Sequence, residues 1–196
     1  YHMDEFETVY MCHREFEVGA DALRDMMADK ELHPERTLDI RTDTRIVLGG
    51  TSLSICEVPG HTPGSVVVLD ERSNRLFTGD AIGSGYGVWM QTPTAVPLET
   101  YYESLVHLLK WLVDRGGRMS FHGGHRYQMF QSTHVPSFNP PSLGLLCDLI
   151  DLVDQIVHGK IVGRISNVDN IMELEPVLYA AYGRAEIQYK ASNIRI

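Results

Sequence analysis

Two segments of the chain repeat apolar residues at the spacing of an α-helix. Residues 98–115 carry one apolar stripe and are followed by Gly116, which favours the end of a helix. Residues 142–158 carry a second stripe, which stops at Gly159. We expect both segments to be amphipathic helices packed on one core. The predicted inward positions are Leu98, Tyr102, Leu105, Leu109 and Leu112 in the first helix, and Leu145, Leu149, Leu152 or Val153, and Ile156 in the second.

Short runs of β-branched and aromatic residues predict strands. Residues 45–48 and 51–58 flank a Gly-Gly pair, which is the signal of a hairpin. Residues 65–69 are continuously apolar, which is typical of a strand buried on both faces, and residues 76–78 then predict the returning strand. Further predicted strands are residues 6–11, 118–121 and 185–190.

The remaining segments are less regular. Residues 15–29 show helical spacing of apolar residues, and we expect a helix there. Residues 172–182 are predicted to be a third helix. Residues 31–43 are predicted to be a loop, and residues 83–97, rich in glycine and aromatic residues, a loop packed beside the functional site. Strands that alternate with helices predict an α/β or α+β fold, here a single layered domain over residues 1–196.

The amino-acid composition limits the kinds of partner that the protein is expected to bind. The net charge of −9 and a pI near 5.4 argue against a surface that grips nucleic acid or an anionic membrane. No run of 18 apolar residues occurs, so we expect no membrane span. The three cysteines, Cys12, Cys56 and Cys147, form no C-x-x-C pair, and we expect each to be a small buried apolar residue. This cysteine usage predicts a reducing, cytoplasmic location.

Three tight turns place metal-binding residue types directly after predicted strands. His61 follows Gly60 in a glycine- and proline-rich turn, Asp80 follows Gly79, and residues 121–125 form a third turn. Strands fix the backbone, and the glycines let each turn fold tightly so that a side chain projects from the edge of a sheet. Imidazole and carboxylate together suit zinc, iron or manganese. The sequence therefore predicts one site assembled by a sheet.

Each of these residues also has a simpler interpretation. His61 alone could be a polar turn residue, and Asp80 could cap a turn or a helix. In the third turn, His122 and His125 compete for the same role. The spacing of the residues does not decide between these alternatives.

The same motifs carry a resemblance to a known family. Residues 60–65 (Gly-His-Thr-Pro-Gly-Ser), residues 78–80 (Thr-Gly-Asp) and the Gly124-His125 pair resemble the later motifs of metallo-β-lactamase-fold hydrolases. Residues 123–126 read Gly-Gly-His-Arg where the family more often has Pro-Gly-His-Gly. The similarity runs from about Phe6 to the end of the chain.

The resemblance implies a fold and a set of roles. The fold would be the αββα sandwich of that family. His61 would bind a first metal, Asp80 would be the catalytic, bridging ligand of two metals, and His125 would bind the second. The cofactors would be two divalent metal ions, with zinc expected and iron or manganese as alternatives.

One part of the family pattern is missing. The cluster H-x-H-x-D-H, which supplies further ligands in the family, occurs nowhere in residues 1–196. We therefore expect an N-terminally truncated piece of a longer enzyme, inactive on its own; the alternative is a natural half-protein that has lost its site. Exposure of a half-sheet would favour a homodimer.

The implied function is hydrolysis of a small-molecule ester, thioester or lactone, as in hydroxyacylglutathione hydrolases. Three alternatives remain open from the sequence: a phosphodiesterase of the same fold, a non-catalytic module that has lost its metal, and a di-iron redox protein. The expected partner is a small-molecule substrate, with no nucleic acid and no membrane.

Overall fold

The computed structural model describes residues 6–18, 35, 37–83, 87–125, 141–166 and 175–195. Within these ranges the chain forms three sheets and two α-helices, together with 3₁₀-helices at His13–Val18 and Ala191–Asn193. The mixed α/β class expected from the sequence is confirmed. The elements are β1 (Val9–Met11), β2 (Thr37–Asp39), β3 (Arg45–Leu48), β4 (Thr51–Glu57), β5 (Val66–Asp70), β6 (Arg75–Gly79), β7 (Val88–Met90), α1 (Leu98–Asp114), β8 (Ser120–Gly123), α2 (Leu143–Val157), β9 (Arg164–Ile165), β10 (Leu178–Tyr182) and β11 (Ala185–Tyr189).

The largest sheet has five strands in the order β3-β4-β5-β6-β8. The predicted hairpin of β3 and β4 is confirmed, and Gly49 adopts a φ of +60° in its turn, which favours glycine. Strands β3 to β6 are antiparallel neighbours, whereas β8 runs parallel to β6. Because parallel strands end at the same edge of a sheet, the segments after β6 and β8 meet there.

A second sheet joins distant parts of the chain in the order β7-β11-β10-β9. Strand β7 pairs in parallel with β11, and β10 pairs in antiparallel fashion with both β11 and β9. A separate two-stranded parallel sheet pairs β1 with β2. The second sheet matters for the site because β7 lies beside the turn that carries His61.

One core unites both helices with the inner faces of the two larger sheets. Leu105 and Leu112 of α1, Leu149 of α2, Val67 of β5 and Ile187 of β11 all belong to it and are almost fully buried. Ser142 caps α2 by accepting a hydrogen bond from the backbone N–H of Leu145, as expected for a serine at this position. The predicted inward positions of α2 are all buried.

The apolar stripe of α1 differs by one position from the prediction. Tyr101 and Leu108 are buried, whereas Tyr102 and Leu109 are only half-buried. Either set of residues fits the helical period. Contact with the sheet and with α2 determines which set is buried, and the periodicity of the sequence does not specify those contacts.

Several other sequence expectations need correction. Strand β2 lies in the predicted loop 31–43, and β7 lies in the predicted loop 83–97. Residues 178–182 are a strand rather than a helix, because they pair with β11 across a turn in which Gly183 has a φ of +56°. Strand β5 is not buried on both faces; Val67 and Leu69 face the core, while its alternate residues are half-buried.

Two further expectations fall partly outside the described residues. Of the predicted helix 15–29, only residues up to 18 are described, and these form part of a 3₁₀-helix. Residues 172–174 of the other predicted helix also lie outside the described ranges. Among the cysteines, Cys12 and Cys56 are buried free thiols as expected, but Cys147 is exposed on α2, because its position lies away from the inward stripe.

Glu57 fastens the N-terminal segment to the end of β4. Its carboxylate accepts hydrogen bonds from the backbone N–H of Thr42 at 2.9 Å and from Arg41 Nη1 at 3.3 Å, and Arg14 Nε lies 3.5 Å away. Burial alone would raise the pKa of this carboxyl, but these donors and charges outweigh it and lower the pKa below its ordinary value.

This lowered pKa predicts an acid-sensitive contribution to stability. The contribution is present above the unfolded-state pKa, about 4.3, and is lost as the pH falls through the lower folded-state pKa. We expect Glu57→Gln to flatten the decline in the free energy of unfolding over this acidic range, measured by urea unfolding at stepped pH. Glu103→Gln, an exposed change on α1, is the matched control. An unchanged pH dependence in Glu57→Gln would contradict the prediction.

Candidate metal centre

His61 lies in a turn that is closed by its own polar groups. The N–H of Thr62 donates to Ser65 Oγ at 3.2 Å, and the N–H of Val58 donates to the Ser65 carbonyl at 2.8 Å. Gly64 donates its N–H to Glu15 Oε2 at 2.8 Å, and a Cβ at this glycine would lie 2.8 Å from the backbone nitrogen of Glu15. The turn therefore needs glycine here and is held against the N-terminal 3₁₀-helix.

The imidazole of His61 is oriented by the second sheet. Its Nδ1 lies 2.7 Å from the carbonyl oxygen of Trp89 in β7. A carbonyl only accepts hydrogen bonds, so this contact requires the proton on Nδ1 and leaves the Nε2 lone pair for another partner. A histidine that donates one ring N–H to a carbonyl while the other nitrogen binds a metal is a common arrangement in proteins.

Asp80 follows β6 in a tight turn. Gly79 precedes it with a φ of +50°, a conformation that favours glycine, and Ala81 donates its N–H to the carbonyl of Thr78 at 3.1 Å. The turn is also tied to β8, because Gly124 donates its N–H to the carbonyl of Gly79 at 3.3 Å. The backbone thus fixes Asp80 beside the segment that follows β8.

The parallel pairing of β6 and β8 brings Asp80 and His125 together. His125 Nε2 lies 3.1 Å from Asp80 Oδ1 and 3.4 Å from Oδ2. Only the longer approach, to Oδ2, has the geometry of a hydrogen bond, and Oδ1 is buried without a hydrogen-bond donor. A Cβ at Gly124 would lie 3.2 Å from the Cα of Gly79, so the glycine allows the segment after β8 to pack closely on the Asp80 turn.

The two histidines of the third turn make different contacts. The ring of His122 packs on Phe77 with 5.5 Å between centroids, and its Nε2 lies 3.3 Å from Ser120 Oγ. His122 therefore belongs to the surface of the sheet, and His125 is the residue that reaches Asp80.

The donor set suits a metal ion, although it is not gathered into a complete site. A buried carboxylate oxygen without a donor costs free energy, and a cation would satisfy it. Neutral imidazole and carboxylate are the ligands that zinc and iron use. The described residues contain no group of three or more His, Cys, Asp or Glu close enough to hold a metal. Asp80 and His125 are in contact, and His61 is anchored on β7, so the three-ligand site stays a prediction.

Tyr101 of α1 connects the turns of His61 and Asp80. Its hydroxyl donates to the carbonyl of Ala81 at 2.7 Å, and its ring lies against Gly60, where a Cβ would be 2.3 Å from the ring. Burial raises the pKa of the phenol well above its usual value, so it remains a donor. One fully buried side chain thus positions the residues next to both predicted ligands.

Sequence reasoning missed these supporting residues. Tyr101 carried a signal, since it is a polar-tipped aromatic residue in an apolar helix, but the period favoured its neighbour Tyr102. Trp89 and Glu15 carried no such signal in the sequence. Trp89 contacts His61 through its backbone carbonyl, and Glu15 contacts the distant turn at Gly64, so neither contact leaves a local sequence pattern.

The first 125 residues identify the family of the chain. The family model of the metallo-beta-lactamase superfamily matches residues 5–125, which include His61, Asp80 and His125. The chain belongs to the metallo-β-lactamase superfamily. The resemblance inferred from the sequence is confirmed, and the mixed α/β architecture is consistent with the fold of this superfamily. Members of the superfamily bind divalent metal ions.

Solved structures match the chain at low identity. An archaeal metallo-beta-lactamase superfamily protein from Sulfolobus tokodaii is 16% identical, with a TM-score of 0.46, over 83% of this chain and 62% of that chain. TTHA1623, solved in a di-iron-bound form, is 24% identical, with a TM-score of 0.46, over 71% of this chain and 62% of that one. ETHE1 from Myxococcus xanthus is 20% identical, with a TM-score of 0.41, over 68% of this chain and 65% of that chain.

The chain spans about three fifths of the length of the first two of these structures. No curated protein matches it significantly. In the described ranges, neither helix has the length and apolar surface that crossing a bilayer requires.

The position of Tyr101 leads to a prediction on stability. We expect Tyr101→Phe to lower the free energy of unfolding by about 1–3 kcal/mol, because the buried carbonyl of Ala81 loses its donor while the ring contact with Gly60 remains. Urea unfolding followed by circular dichroism measures this change. The control is Tyr102→Phe, since that hydroxyl makes no hydrogen bond in the described part of the chain. Equal stability of the two variants would contradict the role of Tyr101.

Proposed function

We propose that the protein is a metal-dependent hydrolase of a small-molecule ester, thioester or lactone. The observation that carries the proposal is the buried Asp80 Oδ1, which has no hydrogen-bond donor and lies 3.1 Å from His125 Nε2. The orientation of His61 by the carbonyl of Trp89 supports it, because this contact leaves Nε2 available as a ligand.

The residues present fit divalent metal ions, and we propose two of them, with zinc expected and iron or manganese as alternatives. Metal ions of this kind lower the pKa of a water molecule and polarise a substrate carbonyl. Asp80 would be the ligand shared between the ions, while His61 and His125 would each hold one. The turn hydrogen bonds and Tyr101 hold these side chains in place before any ion binds, which reduces the reorganisation that binding requires.

Three ligands are few for two ions, since a catalytic site typically has three protein ligands for one zinc. We therefore propose that a complete enzyme needs ligands beyond His61, Asp80 and His125, and that residues 1–196 alone have weak or no activity. We also propose a cytoplasmic location, based on the three free cysteines.

Metal binding tests the site directly. We expect the 196-residue chain to bind fewer than two Zn²⁺ per chain in a calorimetric titration. Asp80→Asn should weaken the binding at least about tenfold, because it removes the charge of the central ligand. His122→Asn is the matched control, since this histidine lies in the same turn region but contacts Phe77 instead. Unchanged Zn²⁺ affinity in folded Asp80→Asn would contradict the proposed ligand role, and two tightly bound Zn²⁺ would contradict the proposed shortage of ligands.

The reaction class needs a separate assay. A panel of thioester, lactone, ester and phosphodiester substrates, measured with Zn²⁺, Fe²⁺ or Mn²⁺ and again after chelation, separates the proposed hydrolase from a phosphodiesterase. Absence of stoichiometric metal in a native-length protein would instead favour a non-catalytic module.

A further inference from the structure

The backbone of the His61 turn is held by the segment that leads from β7 towards α1. This segment comprises residues 90–96, and we call it the β7–α1 segment. Thr92 Oγ1 donates to the carbonyl of His61 at 3.4 Å, and the N–H of Val96 donates to the carbonyl of Gly60 at 2.9 Å. The position of the His61 backbone therefore depends on the conformation of this segment.

The ring of His61 depends on the same segment. Its Nδ1 donates to the carbonyl of Trp89, the residue directly before the β7–α1 segment. That carbonyl shares one rigid peptide plane with the nitrogen of Met90, the first residue of the segment. A movement of the segment at Met90 therefore changes the direction of the hydrogen bond that orients the imidazole.

One side chain from a distant part of the sequence joins the two ends of this segment. Asn193 Nδ2 lies 3.0 Å from the carbonyl oxygen of Val96, and 3.4 Å from those of Ala95 and Met90. A carbonyl oxygen only accepts hydrogen bonds, so the carboxamide presents its nitrogen to all three. Its two N–H groups are thus shared between the first residue and the last residues of the β7–α1 segment.

The residues on both sides of Asn193 are anchored to other parts of the fold. Ser192 donates its backbone N–H to Glu175 Oε1 at 2.9 Å. The carbonyl of Ile194 accepts the N–H of Glu99, in the first turn of α1, at 3.1 Å. Because its neighbours are fixed in this way, the carboxamide of Asn193 is a rigid point against which the β7–α1 segment is held.

We propose that Asn193 is a positioning residue for His61. By holding both ends of the β7–α1 segment, its carboxamide keeps the carbonyl of Trp89 in line with His61 Nδ1, so that the ring keeps one orientation and Nε2 stays available to a metal ion. The consequence for metal binding rests on the proposed function, whereas the effect on the ring does not. Asn193 lies outside residues 5–125, so this support for the site comes from a part of the chain beyond the family match.

The ring of His61 tests the proposal without a metal ion. Asn193→Asp keeps the shape of the side chain but replaces the donor with an ionised carboxylate, which only accepts. Long-range ¹H–¹⁵N NMR spectra of the neutral imidazole distinguish a proton on Nδ1 from one on Nε2. We expect the proton on Nδ1 in the unsubstituted protein and a mixture of both tautomers in Asn193→Asp. The matched control is Ser192→Ala, which removes a hydroxyl bond to Glu175 from the same 3₁₀-helix and should leave the spectrum of His61 unchanged.

Zinc binding tests the consequence for the site. We expect Asn193→Asp to weaken Zn²⁺ binding at least about tenfold in a calorimetric titration, since the partners that orient a metal-binding histidine commonly contribute this much. If Asn193 acts through His61, the substitution should have no further effect in the His61→Asn variant, whereas an independent loss of structure would add to it. Circular dichroism checks that each variant is folded. Asn193→Ala, which introduces no charge, replaces Asn193→Asp if that variant does not fold.

The outcomes separate this proposal from the proposed function. A proton that stays on Nδ1 of His61 in a folded Asn193 variant overturns the positioning role, and so does an equal loss of Zn²⁺ affinity with and without His61. Unfolding of both Asn193 variants overturns it as well, because the residue would then be required by the whole fold. If the tautomer changes as expected but the unsubstituted protein binds no Zn²⁺, the positioning role stands and the proposed metal-dependent function fails.

Discussion

The buried side chain of Tyr101 is the contact on which the candidate centre depends most. Its hydroxyl bonds to the carbonyl of Ala81, and its ring occupies the space beside Gly60. These two contacts belong to different turns, one next to His61 and one next to Asp80. Helix α1 therefore contributes more than core volume, since it fixes the distance between two turns that follow different strands of one sheet.

A second constraint comes from the direction of the strands. Because β8 runs parallel to β6, the turns after both strands lie at one edge, and His125 comes to Asp80 without any sequence proximity. The close backbone approach of Gly79 and Gly124 holds the Asp80 turn against the turn after β8. Asp80 Oδ1 is buried there without a hydrogen-bond donor, and a cation bound as proposed would satisfy it.

Much of this architecture could be predicted from local patterns. The hairpin of β3 and β4, both helices and the turns around His61 and Asp80 follow from periodicity and glycine placement, since these signals act over a few residues. The strand β10 and the contact between His61 and Trp89 could not be predicted, because both depend on pairing between segments far apart in the chain. The motifs indicated the ligand types, but only the structure shows that His125, and not His122, reaches Asp80.

The contact between His61 and Trp89 has a mechanical consequence. His61 takes its orientation from the four-stranded sheet, whereas Asp80 and His125 belong to the edge of the five-stranded sheet. An ion held by all three would add a cross-link between the two sheets. Binding of the ion and the alignment of the two sheets would then be thermodynamically linked. A displacement of one sheet relative to the other would therefore weaken the binding of the ion.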